Sequence, residues 1–403
     1  MESVIGVDIS KNFSVASAYS GRNERMEPPL IFEHTNAGFT EFMQLVKRLE
    51  QQSNSKPNIV LEPTGHYHLT VTDLLEKQGY QVIMINPLIS KRERNSSSLR
   101  KVKTDETDAE HLAKMYYRMD LTPARLCHDE LAQVRYCTRL HETMSTMLTS
   151  IKIKSKAVID LTFPYFGEVF AKSFTKRYIQ CLSEYPTARS VINASRESIV
   201  SFIAVSLGYS EDCKTVQNIA NKLINAALKC PIEKEVYDSQ IHTLLILLRT
   251  IEESQNNLDS LIQYTTETLS HRRDFQILKS IPGIGDVLAA SILCEIGEIS
   301  NFGSHKKLIA FAGIEPSVYQ SGQFKAQDNK ISKRGSHYLR RALYIAVACQ
   351  IRGKYKLPIM RDYYDLKRSE GKPRGVAMVA CMNKLIRIIF ALLSKNQMYQ
   401  LYI

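Results

Sequence analysis

Apolar residues in the first 120 positions follow two rhythms. Short runs at Ser3–Val7, Ser14–Tyr19 and Leu30–His34 have the length and composition of strands, the first two joined by a hairpin-like connection over Asp8–Asn12. The period then changes. Phe39, Phe42, Met43, Val46 and Leu49 recur at helical spacing behind Asn36, a residue able to cap a helix. A strand at Asn58–Leu61, a helix ending at Gly79 and a strand at Gln81–Ile85 follow. The predicted order is βββαβαβ. Three strands followed by crossover helices make the layout of a ribonuclease H-like fold, an α/β sheet covered by helices.

Beyond residue 126 glycine becomes scarce and helical spacing takes over. Leu244, Leu248, Ile251, Leu258, Ile262 and Leu269 keep a 4-3 spacing interrupted by Gln255 and Thr265. Such a stripe suits a coiled-coil seam or an amphipathic helix inside a bundle. An earlier helix carrying Leu131, Val134, Met144, Leu148, Ile151 and Val158 can pair with it. Between them, residues near 161–231 read as a helical insertion. From Asp274 onward glycines return in Ile281-Pro282-Gly283-Ile284-Gly285, ahead of helices, a loop around Ser317–Lys330 and a basic helix starting near Ser336. Three regions are expected: an α/β domain over 1–125, a helical or coiled-coil region over 126–275, and a mainly helical C-terminal domain over 276–403.

Composition narrows the classes. The chain has 403 residues, 44% hydrophobic and 23% charged, which suits a folded multidomain protein and excludes disorder throughout. Runs such as Ile388–Leu393 stop short of the roughly 20 apolar residues of a membrane span, so no membrane is expected. Met1–Val7 lacks the basic start and small-residue cleavage site of a secretion signal. The eight cysteines form neither a C-x-x-C pair nor a zinc-spaced cluster, and a reducing cytoplasm fits them. The formal charge of +12 is unevenly spread: residues 321–376 hold 14 Lys/Arg against 4 Asp/Glu. A polyanion is therefore expected to meet the C-terminal part.

The chemistry lies in carboxylates and one serine loop. Asp8 follows the first strand and Glu62 ends the strand before it, so adjacent central strands would bring them together. Asp105 and Asp108 lie three apart at a helix start, on one face. Four converging carboxylates need cations, and all-oxygen ligands suit Mg²⁺ or Mn²⁺. Taken singly, Asp8 can start a turn, and Thr107 with Glu110 can form a capping box. Lys91–Lys103, with six Lys/Arg and one acidic residue, is either a solvated loop or a nucleic-acid contact that includes Lys101 and Lys103. Gly283 and Gly285 lack the third glycine of a dinucleotide fingerprint; they suit a helix-hairpin-helix turn whose amides meet phosphate, or a plain packing corner. Ser321 precedes Gly322. A serine there becomes a phosphoryl nucleophile only with a base or metal and nearby cations, and Lys333, Arg334, Arg340 and Arg341 follow.

These motifs, in their order, resemble the insertion-sequence-110 family of transposases, which join a RuvC-like DEDD domain to a C-terminal serine transposase domain. Gly6-Val7-Asp8-Ile9-Ser10-Lys11, Leu61-Glu62-Pro63-Thr64-Gly65 and Lys103-Thr104-Asp105-Glu106-Thr107-Asp108-Ala109 resemble its acidic motifs. Phe311-Ala312-Gly313-Ile314-Glu315-Pro316, Ser321-Gly322 and Ile331-Ser332-Lys333-Arg334-Gly335 resemble its C-terminal ones. The resemblance implies a recombinase of an insertion sequence that cuts and rejoins donor and target DNA through a phosphoserine link. Asp8, Glu62, Asp105 and Asp108 would hold the metal and Ser321, or its loop neighbour Ser317, would be the nucleophile. It further implies a structured noncoding guide RNA, the bridge RNA, and a homo-oligomer, dimer or tetramer, joined through the coiled coil. From the residues alone, a RuvC-like nuclease using water and a non-catalytic nucleic-acid-binding scaffold remain alternatives.

Overall fold

In the first strand, β1 (Val4–Ile9), alternate residues turn to opposite sides, and that alternation sets the N-terminal architecture. Ile5, Val7 and Ile9 join one apolar core; Val4 joins the other. The computed structural model describes residues 2–97, 104–119, 121, 129–231, 235–316, 320–321, 324–325, 330–352 and 357–400. The chain divides into two units, Met1–Leu126 and Cys127–Ile403.

The first unit is built on a mixed sheet. β1 pairs antiparallel with β2 (Phe13–Gly21) and parallel with β5 (Asn58–Leu61), which pairs parallel with β6 (Val82–Met84). The outer strand comes in two pieces, β3 (Glu24–Arg25) and β4 (Leu30–Glu33), both antiparallel to β2. Pro28 and Pro29 lie at the break, where neither can donate a ladder hydrogen bond. The helix α1 (Asn36–Ser53) buries Phe42, Leu45, Val46 and Leu49, and α2 (His68–Lys77) buries Val71 and Leu75, in the core shared with Ile5 and Val7. After α3 (Pro87–Ser97), α4 (Asp105–Arg118) covers the other face with Leu112, Ala113 and Met115.

Two caps differ from the expected ones. Thr35, not Asn36, caps α1, its hydroxyl accepting from the Gly38 amide at 3.2 Å. The capping box of α4 is Thr104 with Thr107 rather than Thr107 with Glu110. Hydroxyl and amide side chains cap almost equally well, so neighbouring candidates compete and chain geometry decides.

In the second unit, α5 (Asp129–Thr162) and α10 (Asp238–Leu269) lie along each other. Thr138 and His141 line one cavity with Leu261 and Thr265, while Leu161 and Thr162 line another with Asp238 and Ile241 at the far end, so the pair is antiparallel. Leu244, Leu248, Ile251 and Leu258 share a core with Leu148 and Ile159, so the 4-3 stripe is covered by α5 of the same chain. The segment between them folds as α6 (Lys176–Glu184), α7 (Ala188–Ile192), α8 (Arg196–Leu207) and α9 (Lys214–Leu228) around Phe163, Phe166, Tyr178 and Leu223.

A further core gathers α11 (Arg273–Ser280), α12 (Asp286–Ile296) and α13 (His305–Ala312). The two-residue strands β7 (Gln320–Ser321) and β8 (Phe324–Lys325) precede α14 (His337–Arg352), α15 (Pro358–Ser369) and α16 (Arg374–Lys395), which complete it. By length and composition α16 is apolar enough to cross a membrane, a property that short uninterrupted runs did not reveal. Here Cys381, Leu385, Ile386 and Ile389 are packed in the core instead. A charged link ties α5, α12 and α14 together: Arg139 donates to both oxygens of buried Glu295 at 2.8 and 3.2 Å, and Ser336 Oγ donates to Oε2 at 2.7 Å.

Candidate functional site

Period-2 alternation puts Gly6 and Asp8 on the face of β1 that α4 covers. The approach is close. A Cβ on Gly6 would stand 2.1 Å from the Ala109 carbonyl oxygen and 2.5 Å from the Ala113 nitrogen, so only hydrogen lets α4 lie this near. Ala109 is the neighbour of Asp108, and the contact brings Asp108 toward Asp8. On the adjacent strand Leu61 is level with Val7, so Glu62 leaves β5 beside Asp8 at the carboxyl ends of two parallel strands. Ligand sites in α/β sheets lie at such ends.

Electrostatics report the convergence. Asp8 is pushed up from 3.8 to about 6, first by burial and then by repulsion from Asp108, Asp105 and Glu62, against a smaller opposing pull from Arg94. Asp105 opens α4 and is exposed; Asp108, one turn on, is 6% exposed. Arg94 on α3 places Nη1 3.1 Å from Asp108 Oδ2. Among the described residues no three His, Cys, Asp or Glu side chains are drawn into chelating range of one ion. The donor set still fits a hard divalent cation, being all oxygen and mutually repelling at Asp8. From the sequence, Arg94 is only one charge in a basic run and Gly6 only a member of the first acidic motif, without its packing role. A glycine inside a strand, two residues before an acid, was the available signal.

In the second unit, Ser321 lies in β7, with its backbone paired to Phe324 in β8. The Ser321 side chain, Ser317, Lys101 and Lys103 lie outside the described residues. Backbone hydrogen bonds tie together the stems flanking the serine loop. Pro316 bridges to Ile331, the Ser332 amide donates to the Glu315 carbonyl at 2.9 Å, and the Ser336 amide donates to that of Phe311 at 3.0 Å. Gly313 and Gly335 touch: a Cβ on Gly335 would be 1.8 Å from the Phe311 carbonyl oxygen and 2.7 Å from the Gly313 nitrogen. Two stretches that resemble family motifs are thus the two stems of one loop.

The cations divide into two kinds. Lys333 and Arg334 are exposed on the stem, Lys333 at φ +54°. Arg340 donates to the Ala312 carbonyl at 2.9 Å, and Arg341 pairs with Glu142 at 3.2 Å. Gly283, at φ +85°, faces fully buried Gln350, whose side-chain amide donates to the Pro282 carbonyl at 2.9 Å. Gly285 faces open space, and Asp286 after it pairs with Lys279 at the start of α12. A carboxylate already occupies that positive helix end.

Two family models match the chain. One, a transposase model of the DEDD IS110 type, covers residues 5–164 and so includes all four carboxylates. The other, for transposases of the IS116/IS110/IS902 family, covers residues 275–365 and so includes the serine loop. An uncharacterized 42 kDa protein of insertion element IS900 from Mycobacterium paratuberculosis is 24% identical over 74% of this chain and 73% of its own length. The pilin gene-inverting protein of Moraxella bovis is 31% identical over 37% of this chain and 44% of its own. The transposase for insertion sequence element IS1111A of Coxiella burnetii is 32% identical over 32% of this chain and 35% of its own. A DEDD domain suggests use of a divalent metal. With the two models matched in chain order and together spanning more than half of its length, the chain belongs to the IS110 family of transposases, enzymes of DNA transposition and recombination.

Proposed function

We propose that this transposase cuts and rejoins DNA through a phosphoserine intermediate at Ser321, assisted by the acid cluster. The approach of Glu62, Asp105 and Asp108 to Asp8, from one strand end and one helix start, carries the reading, because carboxylates that repel one another there cost stability unless a cation offsets the repulsion. The strand order β3-β2-β1-β5-β6 supports a ribonuclease H-like, RuvC-like first domain. Asp8, Glu62, Asp105 and Asp108 hold the divalent ion, Mg²⁺ or Mn²⁺, which when bound neutralises phosphate charge and orients the phosphate oxygens.

Ser321 Oγ gives up its proton and forms a bond to phosphorus as the P–O bond to a deoxyribose oxygen breaks, and that oxygen takes up a proton and leaves as a hydroxyl; a hydroxyl from the other DNA end then loses its proton to attack phosphorus, expelling Ser321 Oγ, which is reprotonated. The phosphoester energy is kept, so rejoining uses no ATP. Lys333 and Arg334, exposed on the loop stem, meet backbone phosphate, as do Lys101 and Lys103. A structured noncoding guide RNA supplies the sequence that matches donor to target. The protein acts in the cytoplasm of a bacterial or archaeal cell, as a dimer or tetramer. Because the Leu244–Leu258 stripe is already covered within the chain, exposed Tyr136, Leu140 and Met147, which fall on one face of α5, supply apolar surface for coiled-coil assembly.

The test is a nicked substrate that traps the intermediate. A protein–DNA adduct that survives denaturant, maps to the Ser321 peptide and vanishes in Ser321→Ala while Ser317→Ala retains it is the expected result. Cleavage without an adduct would instead mean a nuclease that uses water.

A further inference from the structure

The acid cluster carries its own cation. Arg94, in the last turn of α3, reaches Asp108 Oδ2 at 3.1 Å, with its side chain 28% exposed and the carboxylate 9%. Its field also opposes the repulsion felt at Asp8. The position is braced from behind, since the adjacent Glu93 pairs with Arg118 of α4 at 3.7 Å. A guanidinium held this way offsets the negative charge of the carboxylate as a close ion pair. A divalent ion needs oxygens of the same group, and two cations on one carboxylate repel each other.

We infer that Arg94 is the resident counter-ion of the acid cluster: it occupies Asp108 while the cluster lacks metal and must yield that carboxylate when a divalent ion enters. Arg94 therefore sets the metal concentration at which the site loads. The inference rests on reading the cluster as a metal site. A brace that merely ties α3 to α4 would behave oppositely, because its loss would loosen the helix that carries two of the ligands and weaken metal binding.

Calorimetric titration of the full-length protein with Mn²⁺, with folding followed by circular dichroism, separates the two. Arg94→Gln is expected to bind Mn²⁺ at least about tenfold more tightly than the wild type, the consequence of removing one positive charge beside a dication. Its thermal midpoint should gain more than the wild type's from a fixed Mn²⁺ concentration. Arg94→Lys, which keeps the charge but loses the planar fork, should fall between them. Wild-type or weaker affinity in folded Arg94→Gln overturns the assignment, and the same result in Arg94→Lys does so if the glutamine variant fails to fold. A wild-type protein that gives no Mn²⁺ signal sensitive to Asp105→Asn overturns the metal reading itself, and the counter-ion role with it.

Discussion

Unit 1 presents its carboxylates on strand ends and a helix start, whereas unit 2 presents Ser321 on a loop whose stems are tied together backbone to backbone. In the first case side chains are aimed by alternation and by a helix pressed onto Gly6. In the second, the fixed part is main chain, and the glycines at 313 and 335 exist so that two stretches of backbone can touch. In the proposed chemistry the acid cluster needs precise mutual placement of several side chains, while Ser321 as nucleophile needs a fixed anchorage. The two arrangements therefore break under different substitutions.

The largest expected effect is on the cluster itself. Asp8→Asn, Glu62→Gln, Asp105→Asn or Asp108→Asn should each reduce strand exchange to background with folding intact, as should EDTA. Recombination assays beside circular dichroism check this, and wild-type rates in any of the four would remove that residue from the site. Next comes the close approach at Gly6. Gly6→Val forces a side chain into the α4 backbone and should cost about 3 kcal/mol of unit 1 stability, since overpacking of a tight contact is destabilising on that scale. Gly335→Ala should open the loop stem and lower adduct formation without altering unit 1. Urea unfolding followed by hydrogen exchange in each unit tests whether the effects stay separate.

A smaller effect has the opposite sign. The folded-state value for Asp8 near 6 lies above its unfolded 3.8, so its contribution to stability is fully present below about pH 4 and is lost as pH rises through about 6. In metal-free buffer at pH 7, Asp8→Asn should therefore stabilise the protein by about 1 kcal/mol, a figure reduced for solvent screening of a partly exposed group. The gap should close on acidification toward pH 4. Thermal melts across that range decide it. The smallest effect concerns the cations: Lys333→Gln and Arg334→Gln should each flatten the slope of log affinity against log salt by roughly one unit, while Arg341→Gln, whose guanidinium is engaged by Glu142, should not.

The contrast also explains what could be read in advance. Asp8 and Glu62 were legible because strand periodicity and a strand end announce where a side chain points, and Asp105 with Asp108 because helix spacing does the same. Arg94 was not, since a basic run does not say which of its members turns inward. The 4-3 stripe of α10 correctly marked a buried face, yet a stripe does not name its cover, and here α5 supplies it from the same chain. Gly313 and Gly335 were noticed as motif members without the reason for them, which lies in a contact between residues far apart in sequence.

The tied stems have a consequence for how such a protein can change. Pro316 and Ile331 leave the helical core side by side, so whatever is spliced between them begins and ends at one spot. Closing a longer connection between two fixed ends costs only about 0.6 kcal/mol more for each doubling of its length. Residues on either side of Ser321 can therefore be inserted or removed while α13 and α14 keep their packing and the serine stays between the same two stems. Divergence among descendants can accumulate at that port without a new fold.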